Sequence, residues 1–126
     1  MNRGKLKQNG VHLEDHEYRT VDLLLGKGYD VELIPRSQIK GLHLPDISIS
    51  GVLWEIKAPE GKTRNTIKHN LQNSEKQSTN VIIDLFRCGL PDKESLKELE
   101  HRFSLSKRLR RMMVITKDRE LLDFTK

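Results

Sequence analysis

The chain has 126 residues, 35% hydrophobic and 33% charged, with a formal net charge of +5. That suits one domain with a compact core under a charged surface, and is too short for two. A single cysteine, Cys88, excludes an intrachain disulfide or a thiol-based zinc site, no run has the length of a membrane span, and the basic N-terminus lacks the apolar stretch of a signal peptide. The basic balance favours a polyanionic partner such as nucleic acid, or an acidic protein that masks the surface. The fold suits a reducing cytosol, and any export would depend on something outside this sequence.

Residues 1–12 read as a loose polar lead-in. From Glu14 to Leu25, Tyr18, Val21, Leu24 and Leu25 follow helical spacing, and Gly26 to Gly28 stop the helix. "YDVELIP" alternates as a half-buried strand ending at Pro35, and 36–44 form a connecting loop. Asp46–Ser50 and Val52–Ala58 read as two strands about a Ser50-Gly51 turn. A thinly apolar helix follows over Asn65–Gln77, then a buried strand in "NVIIDLF". Pro91-Asp92 opens another helix, with Leu96, Leu99 and Phe103 on one side, and "RMMVITKD" is a last strand. The order α-β-β-β-α-β-α-β predicts a single α/β domain whose mixed central sheet is flanked by helices.

The hairpin carries the chemistry. With Ser50-Gly51 as a two-residue turn, Ile49 faces Val52, Ser48 faces Leu53, Ile47 faces Trp54 and Asp46 faces Glu55. Strand alternation puts Ile47, Ile49, Val52, Trp54 and Ile56 on one apolar side, and Asp46, Glu55 and Lys57 on the other. Like charges directly opposed across strands are costly unless something neutralises them. A divalent cation does so through carboxylate oxygens, and Lys57 beside it can hold the acids ionised, touch a phosphate or orient a water. The plainer alternative is a salt bridge on a solvated sheet face. The position of the acids about the turn, in a sheet expected to be covered on both faces, favours the site.

Glu14 and Glu17 share the apolar side of the first helix. They serve either the helix dipole or, with Glu17 preferred, a metal shell completed from that helix. On the helix after the hairpin, His69, Asn70 and Lys76 form a polar rim able to hold a phosphate or an attacking water, or else an ordinary exposed face. Gln77 ends that helix just before the buried strand. The basic run Lys107 to Arg111 suits phosphates or a solvated helix end equally.

Pro45-Asp46, eight residues, then Glu55-Ile56-Lys57 resembles the motif of the PD-(D/E)XK nucleases. The segments "GYDVELIP", "LPDISISGVLWEIKAPEG" and "TIKHNLQNSEKQSTNVIIDLF" are similar to the C-terminal tRNA nuclease domain of contact-dependent growth inhibition toxins, over about Glu17 to Phe86. The resemblance implies a restriction-endonuclease-like core, α-β-β-β-α-β, with a further helix and strand. It implies Mg²⁺ or Mn²⁺ held by Asp46, Glu55 and Glu17, catalysis with Lys57 and Gln77, and cleavage of tRNA in the cytoplasm. It also implies a cognate immunity protein and delivery within a larger secreted or surface toxin. Two alternatives stand beside it: a DNA endonuclease of restriction, repair or junction-resolving type, and a nucleic-acid-binding module with a dead site.

Overall fold

A computed structural model describes residues 2–126. Its elements are β1 (Leu6–Lys7), α1 (Asp15–Gly26), β2 (Val31–Leu33), β3 (Ile47–Ile49), β4 (Val52–Lys57), α2 (Arg64–Glu75), β5 (Asn80–Asp84), α3 (Asp92–Leu105), β6 (Arg111–Ile115) and β7 (Leu121–Thr125). The seven strands form one sheet in chain order. β1–β2, β4–β5 and β5–β6 pair in parallel, the other three neighbours antiparallel. The expected order α-β-β-β-α-β-α-β is present from α1 to β6, with a strand added at each end.

Both added strands correct the sequence reading. The lead-in over 1–12 is not loose throughout: Leu6 and Lys7 pair with Val31 and Glu32. Gly4 makes this possible, because a Cβ there would fall 1.7 Å from the Tyr29 carbonyl oxygen. β7 returns antiparallel along β6 from Ile115↔Leu121 to Arg111↔Thr125, so "RMMVITKD" is not the last strand. Its turn places Arg119 at φ 67°, an uncommon conformation for a residue with a side chain.

Two cores lie on opposite faces of the sheet. Val21, Leu24 and Leu25 of α1 pack with Val31, Leu33, Ile47, Ile49 and Trp54, and with Ile82, Met113 and Ile115 farther along. Ile67 and Leu71 of α2, and Leu99 and Phe103 of α3, cover Val81, Ile83, Met112 and Val114 on the other face. The odd and even residues of β5 and β6 therefore go to different cores, which is why these strands read as unbroken apolar runs. β4, β5 and β6 step in one direction through crossovers of like hand, so α2 and α3 share a face.

Coverage on both faces does not extend to β1–β3. There the second face carries Glu32 and Ser48, and Leu53 of β4, opposite Ser48, is 44% exposed. Val52, expected in the core, is 38% exposed because it closes the hairpin tip. That tip has Ser50 at φ 51° and Gly51 at φ 82°, the paired positive φ of a type I′ turn.

Candidate active site

The hairpin register is the expected one for three pairs: Ile49↔Val52, Ser48↔Leu53 and Ile47↔Trp54. Asp46 lies just beyond the ladder. Its amide donates to the Trp54 carbonyl at 3.1 Å and its own carbonyl accepts from Ile34. Its carboxylate accepts from the Ile56 amide at 2.8 Å. Asp46 is thus held from both neighbouring strands, and its carboxylate is fixed on the side that Glu55 shares.

Glu55 is 2% exposed. Burial first, and then the nearby Asp46 carboxylate, push its pKa up to about 7, while Lys57 and His43 pull the other way. The neighbouring carboxylate makes the ionised form of Glu55 costlier, as a like charge in one site does. The Lys57 ammonium stands 3.4 Å from Glu55 Oε2, with its side chain 22% exposed. Lys57 pairs with Ile83 of β5, and so sits over the core that α2 covers.

His43 was not foreseen. Its Nε2 lies 3.3 Å from Glu55 Oε2, reaching in from the loop before Pro45. No periodicity governs a residue on such a loop, and only its closeness in sequence to Asp46 could have pointed to it. The same loop frames a cavity of about 360 Å³, lined by Ile34, Arg36, Leu42, His43, Pro45 and Asp46 among others. The site therefore opens toward a basic and apolar loop.

The remaining expected residues are not gathered at this point. Glu17 Oε1 accepts from the Glu14 amide at 3.1 Å, closing a reciprocal capping box at the start of α1. Among the described residues, the one group of three potential metal-ligating side chains within 4.8 Å is Glu14, His16 and Glu17, and it excludes Asp46 and Glu55. Gln77 follows the α2 cap, near where Ser78 and Asn80 reach the Leu53 carbonyl, and its buried Oε1 has no partner. Asn70 bonds back to the Thr66 carbonyl. His69 and Lys76 line a separate hollow on the outside of α2. No described hydrogen bond or ion pair links any of these four to the Asp46, Glu55 and Lys57 group.

Asp46 and Glu55 are a hard oxygen donor set with one cation already at its edge. That is the provision a small divalent ion needs when water completes its shell, since Mg²⁺ is commonly held by one or two carboxylates. The chemistry of these donors therefore fits Mg²⁺ or Mn²⁺, without requiring a third acid.

The family described as contact-dependent growth inhibition CdiA C-terminal domain matches residues 43–121, more than half of the sequence. The match begins at His43 and spans Asp46, Glu55 and Lys57. Among solved structures, a chain of a CdiA-CT/CdiI toxin and immunity complex from Burkholderia pseudomallei is similar in fold, at a TM-score of 0.74 and 20% identity. The alignment covers 98% of this chain and 100% of that one. None of the curated proteins matches. On the family match, this chain belongs to the CdiA C-terminal domain family of contact-dependent growth inhibition.

Proposed function

We propose that this toxin domain is a metal-dependent nuclease of the PD-(D/E)XK type, with a restriction-endonuclease-like core, and that it cleaves tRNA. The observation that carries the reading is the meeting of Asp46, Glu55 and Lys57 on one side of the hairpin, with the lysine 3.4 Å from a buried glutamate. A buried glutamate and a half-buried aspartate beside one ammonium have little value as a surface salt bridge, whereas they suit binding of a cation and a phosphate together.

In this reading Asp46 and Glu55 hold Mg²⁺ or Mn²⁺, which would polarise the scissile phosphate and supply hydroxide at neutral pH. The Ile56 amide keeps Asp46 turned to the site. Glu55 gives up its proton as the cation enters. Lys57 orients the attacking water or stabilises charge that develops on the phosphate. Glu17 keeps its place in the capping box and is not needed for the metal shell. A polyanionic substrate suits the net charge of +5. The solved relative belongs to a toxin and immunity complex, which supports a cognate immunity protein for this chain. We further propose delivery as part of a larger surface toxin and action in the cytoplasm of the target cell.

The test is incubation with total tRNA, and in parallel with duplex DNA, in Mg²⁺ and in EDTA. The expected result is tRNA cleavage that EDTA stops and that Lys57→Ala slows by about 10²-fold or more. Wild-type cleavage by a folded Lys57→Ala protein, or cleavage indifferent to EDTA, would overturn the assignment. Cleavage of the DNA alone would move it to a DNA endonuclease.

A further inference from the structure

Outside the acid group, one cluster has no role in the chemistry above. Phe86 follows β5 and is 45% exposed. The Arg19 guanidinium lies over its ring at 3.7 Å, and that of Arg119 at 5.6 Å. Among the described residues no carboxylate lies within ion-pair distance of Arg19, whereas Arg119 is paired to Asp84.

The cluster is firmly built. Asp84 is 2% exposed and accepts from Thr20 Oγ1 at 2.7 Å, from the Phe86 amide at 3.0 Å, and from Arg119 at 2.9 and 3.3 Å. Thr20 is the neighbour of Arg19 on α1, so the same buried carboxylate fixes the ring and the helix that brings Arg19 over it. The cluster also lies at the Lys57 end of the sheet. Lys57 pairs with Ile83, one residue before Asp84, and the Arg87 Nε donates to the carbonyl of Ala58, the residue after Lys57.

An exposed ring with an unpaired, planar guanidinium stacked on it offers a flat, polarisable, positively charged surface. Unpaired bases stack on such aromatic and guanidinium planes, while a base inside a duplex has no face free to do so. We propose that the Phe86–Arg19 stack is a platform for an unpaired base of the RNA, seating the strand beside β5 at the Lys57 end of the sheet. For its substrate this rests on the nuclease reading above, and it narrows that reading to a single-stranded loop or end.

The test is fluorescence anisotropy in EDTA with the intact chain, using a labelled single-stranded RNA of about ten nucleotides and an RNA duplex. Phe86→Ala should weaken single-strand binding about tenfold, as for the loss of one stacked base, and leave duplex binding unchanged. Phe86→Trp should keep the affinity. Arg19→Lys should lose several-fold while keeping the salt dependence, since the charge remains and the plane does not. Phe86→Leu, with a thermal melt, separates loss of the π face from loss of the fold. Equal losses on single strand and duplex, or wild-type binding by folded Phe86→Leu and Arg19→Lys, overturn the platform, as does a wild-type chain that binds no single-stranded RNA. If the variants bind like wild type while wild type cleaves tRNA, the platform falls and the nuclease stands. If binding depends on Phe86 but no tRNA is cut in Mg²⁺ or Mn²⁺, the nuclease falls and the platform stands.

Discussion

The Lys57 ammonium lies 3.4 Å from Glu55, a carboxylate that burial and Asp46 together raise to a pKa of about 7. Lys57 is the stronger of two groups acting against that rise. Lys57→Met should therefore push the Glu55 pKa further up, and Asp46→Asn should bring it down. A carboxyl-carbon NMR titration of the metal-free protein reads both. A fall in the lysine variant would mean that the ammonium does not face Glu55 in solution.

The raised pKa also sets a pH dependence of stability. The folded state holds this proton more tightly than the unfolded chain, whose glutamate titrates near 4.5. The contribution is fully present below that value and is lost as pH rises through about 7. At 2% exposure the group has little solvent screening. The loss should reach roughly 3 kcal/mol in the metal-free protein. Urea unfolding of wild type and Glu55→Gln on either side of this window checks it: wild type should lose stability relative to the variant as pH rises. A constant difference would remove Glu55 as the source.

The hairpin was the most legible part of the molecule. Alternation over Ile47–Ile49 and Val52–Ile56, with Ser50-Gly51 between them, leaves one register that buries the large side chains, and three of its pairs are present. Asp46 and Glu55 met on the expected side although Asp46 left the ladder, because an amide of the partner strand recaptured its carboxylate. What sequence could not give depended on distant partners. β1 has two residues and is fixed by backbone pairing and by the absence of a Cβ at Gly4, neither of which makes an apolar pattern. β7 places Leu122 and Phe124 against one core and Leu121 against the other, so its short run follows a charged turn without an obvious strand signature. Glu17 shows the limit of shared-face reasoning, since its carboxylate was captured one turn away by the Glu14 amide.

Cation binding should reverse the pH trend. Ionised Asp46 and Glu55 are the binding form, so a proton must leave as Mn²⁺ or Mg²⁺ enters, and affinity should rise from acid to neutral pH. At a free concentration of about 100 times Kd, the ion should stabilise the fold by about 2.7 kcal/mol. The shift in thermal midpoint should be larger above the Glu55 pKa than below it, and absent in Asp46→Asn/Glu55→Gln. Calorimetry in two buffers of different ionisation enthalpy would count the released proton. A midpoint shift that survives in the double variant would place the ion elsewhere.

Asp84 makes the costliest single dependence outside the site. Its buried carboxylate is met by Thr20, the Phe86 amide and both terminal nitrogens of Arg119, which ties α1, β5 and the β6–β7 turn together. Removing one partner of a buried pair leaves the other charged and without compensation. Asp84→Ala should therefore cost roughly 3–5 kcal/mol. Thr20→Val removes one hydrogen bond to a charged group and should cost about 1.5–3 kcal/mol. The double variant Asp84→Ala/Arg119→Leu should recover part of the Asp84→Ala loss, because the stranded guanidinium is gone. Urea unfolding of the four proteins measures the coupling. Strict additivity of Asp84→Ala and Arg119→Leu would show that the two side chains do not act as a pair, and that the turn at Arg119 is held by its backbone alone.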